Sequence, residues 1–232
     1  MKLLGLPASW DVRNIGNQIR AVVEDVEEKT NVCVTDVFIV VPHLLVLYQE
    51  DIRDSVEWIG LNFLEMKHYF HPLFLETPAA FAGYGFGLCE HFESRDDCAE
   101  DLKNATAINL FTVHYSDAAL TTASTPQISA FGVFEPDYRH HENFSLGYAA
   151  RGNMATAESY WQAVHDELKL IIRVFGDLVM VLLTGDATGV PEFRRELQRA
   201  ISADKPPVFS NDSVFAVAKG AAEVFARQQN WD

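Results

Sequence analysis

Apolar residues recur at Ile15, Ile19, Val22, Val23 and Val26 with charges between them, and Glu27-Glu28-Lys29 closes the run. Spacing of three to four residues keeps one helical face apolar, so a helix is predicted over 14–30. V-F-I-V-V (37–41) has a different character. It is a continuous β-branched and aromatic run stopped by Pro42, which predicts a strand buried on both faces. A second helix is predicted from Leu45 to Ile59, ended by Gly60, then a short strand at 61–66. Pro78 to Ala82 opens another helical piece, closed by the glycines of G-Y-G-F-G (83–87). Such alternation implies parallel strands with crossover connections.

Residues 89–104 are polar and acidic and read as a surface connection. A-T-A-I-N-L-F-T-V-H-Y-S-D-A-A-L-T-T-A-S (105–124) is two apolar stretches broken at His114-Tyr115-Ser116-Asp117, a strand–turn–strand. I-S-A-F-G-V-F (128–134) predicts a third strand, and 136–155 a loop with at most one short strand. Between 157 and 175, Trp161, Val164, Leu168, Ile171, Ile172 and Phe175 fall on one helical face. L-V-M-V-L-L (178–183) is the strongest buried-strand signal. Gly185 to Gly189 forms a turn, Pro191 marks the start of a helix over 192–202, and a last helix spans 211–228. The expected organisation is a first α/β lobe at 1–88, a connecting loop at 89–104 and a second α/β lobe at 105–232.

Composition narrows the function classes. Of 232 residues, 48% are hydrophobic and 12% aromatic, enough for a packed core. A formal charge of −15 repels phosphate backbones and anionic lipid, so neither nucleic acid nor a membrane surface is an expected partner. No apolar run approaches the roughly 20 residues of a membrane helix, and M-K-L-L-G-L-P is too short for a secretory signal. Three cysteines are too few for a disulfide framework, so a cytoplasmic, reduced protein is expected; Cys89 and Cys98 would pair in an oxidising compartment. His68-x-x-His71 and His140-His141 with Glu142 lack zinc-like spacing with further ligands, so no metal is expected. Ser116 lacks a G-x-S-x-G context.

Three segments, in order, resemble the ATPase domain of DnaK-type heat-shock chaperones, part of the actin-like ATPase superfamily. V-F-I-V-V-P (37–42), a helix and G-L-N-F-L (60–64) look like that family's strand–Val-Pro–helix–Gly-Leu unit, leading into L-E-T-P-A-A-F-A-G-Y-G (75–85). V-L-L-T-G-D-A-T-G-V-P-E-F (181–193) resembles its adenosine-contacting segment, and S-V-F-A-V-A-K-G-A-A (213–222) its closing helix. The set looks most like short, divergent fungal relatives. The resemblance implies a reduced actin-like, heat-shock-chaperone ATPase fold: two α/β lobes around a cleft, truncated, with the outer lobes and the N-terminal β-hairpin missing.

The departures shape the functional expectation. Where the family has D-L-G-G-G-T-x-D, Thr112 takes the Asp position and His114-Tyr115-Ser116 replaces three glycines. Bulky side chains there would fill the space in which glycine backbone wraps phosphate, and a metal-positioning carboxylate is lost. Thr184 replaces one glycine of the adenosine segment's pair. ATP hydrolysis is therefore not expected, and no cofactor is implied.

Within the implied cleft, Pro42-His43, Glu76-Thr77, His114 to Asp117 and Gly185-Asp186 would converge, while Phe74, Phe81, Tyr84 and Tyr115 would narrow and dry the old nucleotide space. Such a pocket suits a small hydrophobic molecule. His114 or His43 would donate a hydrogen bond or act as general acid, oriented by Asp117 or Asp186, with Thr112, Ser116, Glu76 and Gly185 contacting substrate. Structural roles compete at each position: hairpin-tip solvation for His114 and Tyr115, turn N–H acceptance for Asp117, helix N-terminus bonding for Glu76 and Asp186, and core-edge packing for His43. The leading expectation is a cofactor-free cyclase (pericyclase or Diels–Alder type) or isomerase of fungal secondary metabolism. The alternative is a non-catalytic interaction module (a pseudo-ATPase), in the form of a homodimer; a third is adenosine binding without hydrolysis.

Overall fold

A computed structural model describes residues 7–42, 48–66, 73–131, 139–176, 178–201, 206–229 and 231. The chain forms two compact units, Met1–Leu75 and Glu76–Asp232.

In the first unit, α1 (Trp10–Thr30) starts at Ser9, whose hydroxyl caps the Val12 N–H at 3.1 Å, and stops at Asn31 in the left-handed region. It packs on α2 (Gln49–Trp58) through Gly16, where an added Cβ would lie 2.7 Å from the Trp58 ring. The seam is narrow: Val12 and Gly16 are buried, while Val22 and Val26 of the predicted apolar face are exposed. β1 (Asp36–Val37) pairs with β3 (Asn62–Phe63) and β2 (Val40–Val41) with β4 (Phe74–Leu75), both parallel as the alternation implied. The run 37–41 is not buried on both faces. Residues 37–40 are half-buried and only Val41 is buried, because the run is split between two partners, each ladder spanning two residues among the described ones. His43, His68 and His71 lie outside the described residues.

The second unit is built on a five-stranded sheet of order β7-β6-β5-β8-β9. β5 (Ile108–Tyr115) and β6 (Leu120–Gln127) form the expected hairpin. Among the described residues, β6 includes Pro126, opposite Asn109 of β5, and pairs on its outer side with β7 (Arg139–Asn143) from Leu120 to Ser124. The third strand is thus β7, not 128–134: residues 128–131 form a bend and turn, and 132–134 lie outside the described residues. β8 (Met180–Thr184) and the short β9 (Val208–Phe209), which the pattern did not predict, run parallel to β5.

Alternation splits this sheet into two faces. Phe111, Val113, Tyr115, Val181 and Leu183 form a core with α5 (Ala157–Phe175) and α6 (Pro191–Ala200). α5 begins in a reciprocal cap between Thr156 and Ser159 and buries Trp161, Val164, Leu168 and Ile171, as its spacing predicts. On the other face lie Thr112, His114 and Thr184, and α3 (Glu76–Gly83) contacts β8 there. α3 packs closely on α7 (Ala216–Gln228): a Cβ on Gly83 would fall 1.8 Å from the Ala216 carbonyl oxygen, and one on Gly220 1.8 Å from that of Ala79.

The polar connection is more ordered than a loop. Ser94 caps α4 (Arg95–Leu102), and Cys98 within it is disulfide-bonded to Cys89, whose carbonyl accepts from Arg227 of α7 at 2.6 Å. No helix among the described residues is long and apolar enough to cross a membrane.

Candidate functional site

The ends of β5, β8 and α3 meet at one carboxylate. Register places His114 beside Thr184 on adjacent parallel strands, and Glu76 opens α3. Glu76 Oε1 accepts from the Thr184 hydroxyl at 2.5 Å and from His114 Nδ1–H at 2.7 Å, while Nδ1 also lies 3.2 Å from Thr184 Oγ1. A carboxylate at a helix N-terminus is favoured by the unpaired N–H groups there. Glu76 is buried, and the His114 side chain is 30% exposed.

This geometry fixes the imidazole. With Nδ1–H donated to Glu76, the other ring nitrogen is left as the reactive one. His114 Nε2 has no hydrogen-bond partner among the described residues. Burial works against charging the ring, but the hydrogen bond and charge of Glu76 and the charge of exposed Asp186 outweigh it, so the His114 pKa is raised above its ordinary value. A group held this way keeps its proton more tightly than a free imidazole and can share it with a bound molecule.

The remaining predicted residues fall in distinct places. Asp117 is exposed at the hairpin tip, and the carboxylate that orients His114 is Glu76 instead. Glu76 therefore serves side chains on two strands as well as opening a helix. Thr112 is buried in mid-strand, its hydroxyl without a partner among the described residues. Tyr115 points to the opposite face from His114, stacked on Phe193 at 4.2 Å with its hydroxyl donating to Tyr160 at 2.9 Å; burial and that bond push its pKa up. Phe74 belongs to the first unit's core, against Phe38. Phe81 is buried against Phe86, and Tyr84 donates to the Leu183 carbonyl at 2.7 Å. Burial, then the charge of Asp212, pushes the Tyr84 hydroxyl up to about 12.

The turn itself is closed on its own backbone. Ser116 N–H donates to the Ala119 carbonyl at 3.0 Å, and Ala119 N–H to Ser116 Oγ at 3.3 Å. The carbonyls of Ser116 and Asp117 accept from Tyr148 and Ala149. Gly185, at φ 99°, lies under the end of β5, where a Cβ would fall 2.3 Å from the Tyr115 carbonyl oxygen. Among the described residues, no group of three or more His, Cys, Asp or Glu is placed to hold a metal ion.

Thr184, through its bond to Glu76, is the member of this cluster that the sequence did not single out as a site residue. A buried strand gives no hint that its last residue faces a helix 108 positions earlier.

No family model matches the chain, and no curated protein does. Among solved structures, the ethanolamine utilization protein EutJ from Carboxydothermus hydrogenoformans is similar, with a TM-score of 0.58 at 13% identity over 93% of this chain and 75% of EutJ. Likeness at that identity is one of fold. The chain has an actin-like ATPase fold in reduced form.

Proposed function

We propose that this actin-like fold belongs to a divergent fungal relative of the DnaK-type chaperone ATPases that works without ATP, and that its site around His114 binds a small hydrophobic molecule bearing a carbonyl. The observation that carries the reading is the Glu76–His114 pair: one ring nitrogen held by a buried carboxylate, the other without a partner among the described residues, and the charged form favoured. The inward-turned N–H groups of Ser116 and Ala119 support the loss of phosphate chemistry, since a phosphate loop needs such groups aimed at the ligand.

The reaction in this proposal is an isomerisation or intramolecular cycloaddition. Protonated Nε2–H donates a hydrogen bond to the substrate carbonyl, withdraws electron density from it as the bonds rearrange, and keeps its proton when product leaves. Glu76 keeps the ring oriented and charged. A cytoplasmic setting is part of the proposal, and there the Cys89–Cys98 bond would be kept reduced.

The test is a histidine-ring NMR titration of the full chain with a panel of small apolar ketones and polyenones, with product analysis. The expected result is a shift of the His114 ring with conversion, lost in His114→Gln, reduced about a hundredfold in Glu76→Gln and kept in Asp117→Asn. No perturbation of His114 by any member, or equal conversion by His114→Gln, would sink the idea.

One observation favours the second reading, a non-catalytic interaction module. Val214 and Phe215, leading into α7, are 53% and 68% exposed at one corner. A homodimer in solution that Phe215→Ser converts to monomer would move the assignment there.

A further inference from the structure

The arginines of α6 have different partners. Arg195 and Arg199 both pair with the buried carboxylate of Glu196. Arg194 instead donates Nε to the Thr188 backbone carbonyl at 3.0 Å and forms no ion pair among the described residues.

Arg194 lines a cavity of about 210 Å³ between α6 and the β8–β9 edge. Leu197 and Gln198 follow it at i+3 and i+4 on the same helical face, and Ile201 at i+7. Val208 and Ser210 close the other side. Apolar walls from Leu197, Ile201 and Val208 thus face one guanidinium, with Gln198 and Ser210 as neutral donors. Leu183, which also lines the cavity, faces away from its neighbour Thr184, so this space lies on the sheet face opposite His114.

Volume and charge together select the ligand. A space of roughly 150 Å³ takes benzene, so this half-open groove, with Val208 42% exposed at its rim, has room for a ring of that size with a small head group. The fixed guanidinium fork fits a carboxylate, to which it can donate two parallel hydrogen bonds. Because the protein's overall field repels anions, binding must come from this direct contact.

We infer that the α6–β9 cavity is a binding site for a small carboxylate with a compact apolar body, Arg194 taking the carboxylate and Leu197, Ile201 and Val208 the ring. The site is independent of the proton chemistry proposed at His114.

The experiment is calorimetric titration of the full chain with benzoate and, separately, benzyl alcohol, which has the same ring and no charge. Saturable benzoate binding, with the alcohol about tenfold or more weaker, is expected from the worth of a charged hydrogen bond. This comparison needs no variant. Arg194→Met, which keeps the stem and removes the charge, should weaken benzoate by about the same factor and leave the alcohol unchanged. Val208→Trp should abolish both by filling the space. Absence of saturable benzoate binding up to its solubility, or equal affinity for acid and alcohol, overturns the proposal. So does unchanged benzoate affinity in a folded Arg194→Met.

Discussion

His114 and Glu76 are 38 positions apart and share one short hydrogen bond. Folding raises the His114 pKa above 6.5, so the folded state holds that proton more tightly than the unfolded chain does. The pair's stabilisation is therefore fully present below about 6.5 and is lost as pH rises through the raised folded-state value. Denaturant midpoints of wild type and His114→Gln, measured from pH 5.5 to about 9, should differ most at the acid end and converge at the alkaline end. A constant difference would mean that His114 contributes only packing. Glu76→Gln should cost about 1–2 kcal/mol by weakening a charge-assisted bond, and should flatten the same pH dependence.

At the scale of elements, the α3–α7 contact depends on residues with almost no side chain. Ala79 and Gly83 of one helix meet Ala216 and Gly220 of the other at distances that exclude a Cβ. Gly220→Ala should destabilise the fold by about 1–3 kcal/mol through overpacking, although alanine is the better helix former in isolation. A midpoint that rises in urea titration would show that the helices can separate without loss. Helix α4 makes a second prediction. Its bridge to Cys89 closes a loop with a sequence separation of 9, and removing such a constraint costs about 2–3 kcal/mol in the chain-entropy account. Cys98→Ala should lower stability by clearly more in oxidising buffer than under reductant, where only the lost packing of buried Cys98 remains, measured by the same titration in both.

For the molecule as a whole, the charge of −15 sets the dominant long-range force. Self-repulsion opposes compaction, and salt relieves it by shortening the Debye length from ~30 Å at 0.01 M to ~10 Å at 0.1 M. The thermal midpoint should rise by about 2–4 °C over that range if about 1 kcal/mol is recovered. A falling midpoint would assign more weight to local ion pairs such as Glu196 with Arg195 and Arg199 than to the net field.

How far the sequence reached follows from the range of the forces involved. Helix α5, strand β8, the β5–β6 hairpin and the Pro191 start of α6 were legible because periodicity, caps and turn residues act over a few positions. The absence of glycine at 114–116 was legible for the same reason, since residue type alone sets what a turn can wrap. Three things were not. α4 formed where charge suggested a loop, because a Ser94 cap and the link to Cys89 outweigh its weak apolar pattern. The third strand lay at 139–143, because pairing with β6 decides a polar strand that has no hydrophobic signature of its own. The partner of His114 was Glu76, not Asp117, because strand register and the position of α3 bring together residues that no sequence window contains. Local pattern set α5, α6, β8 and the β5–β6 hairpin, and residue type set the chemistry available at the turn; which carboxylate holds the imidazole, and so which nitrogen is left to act, follows from long-range packing alone.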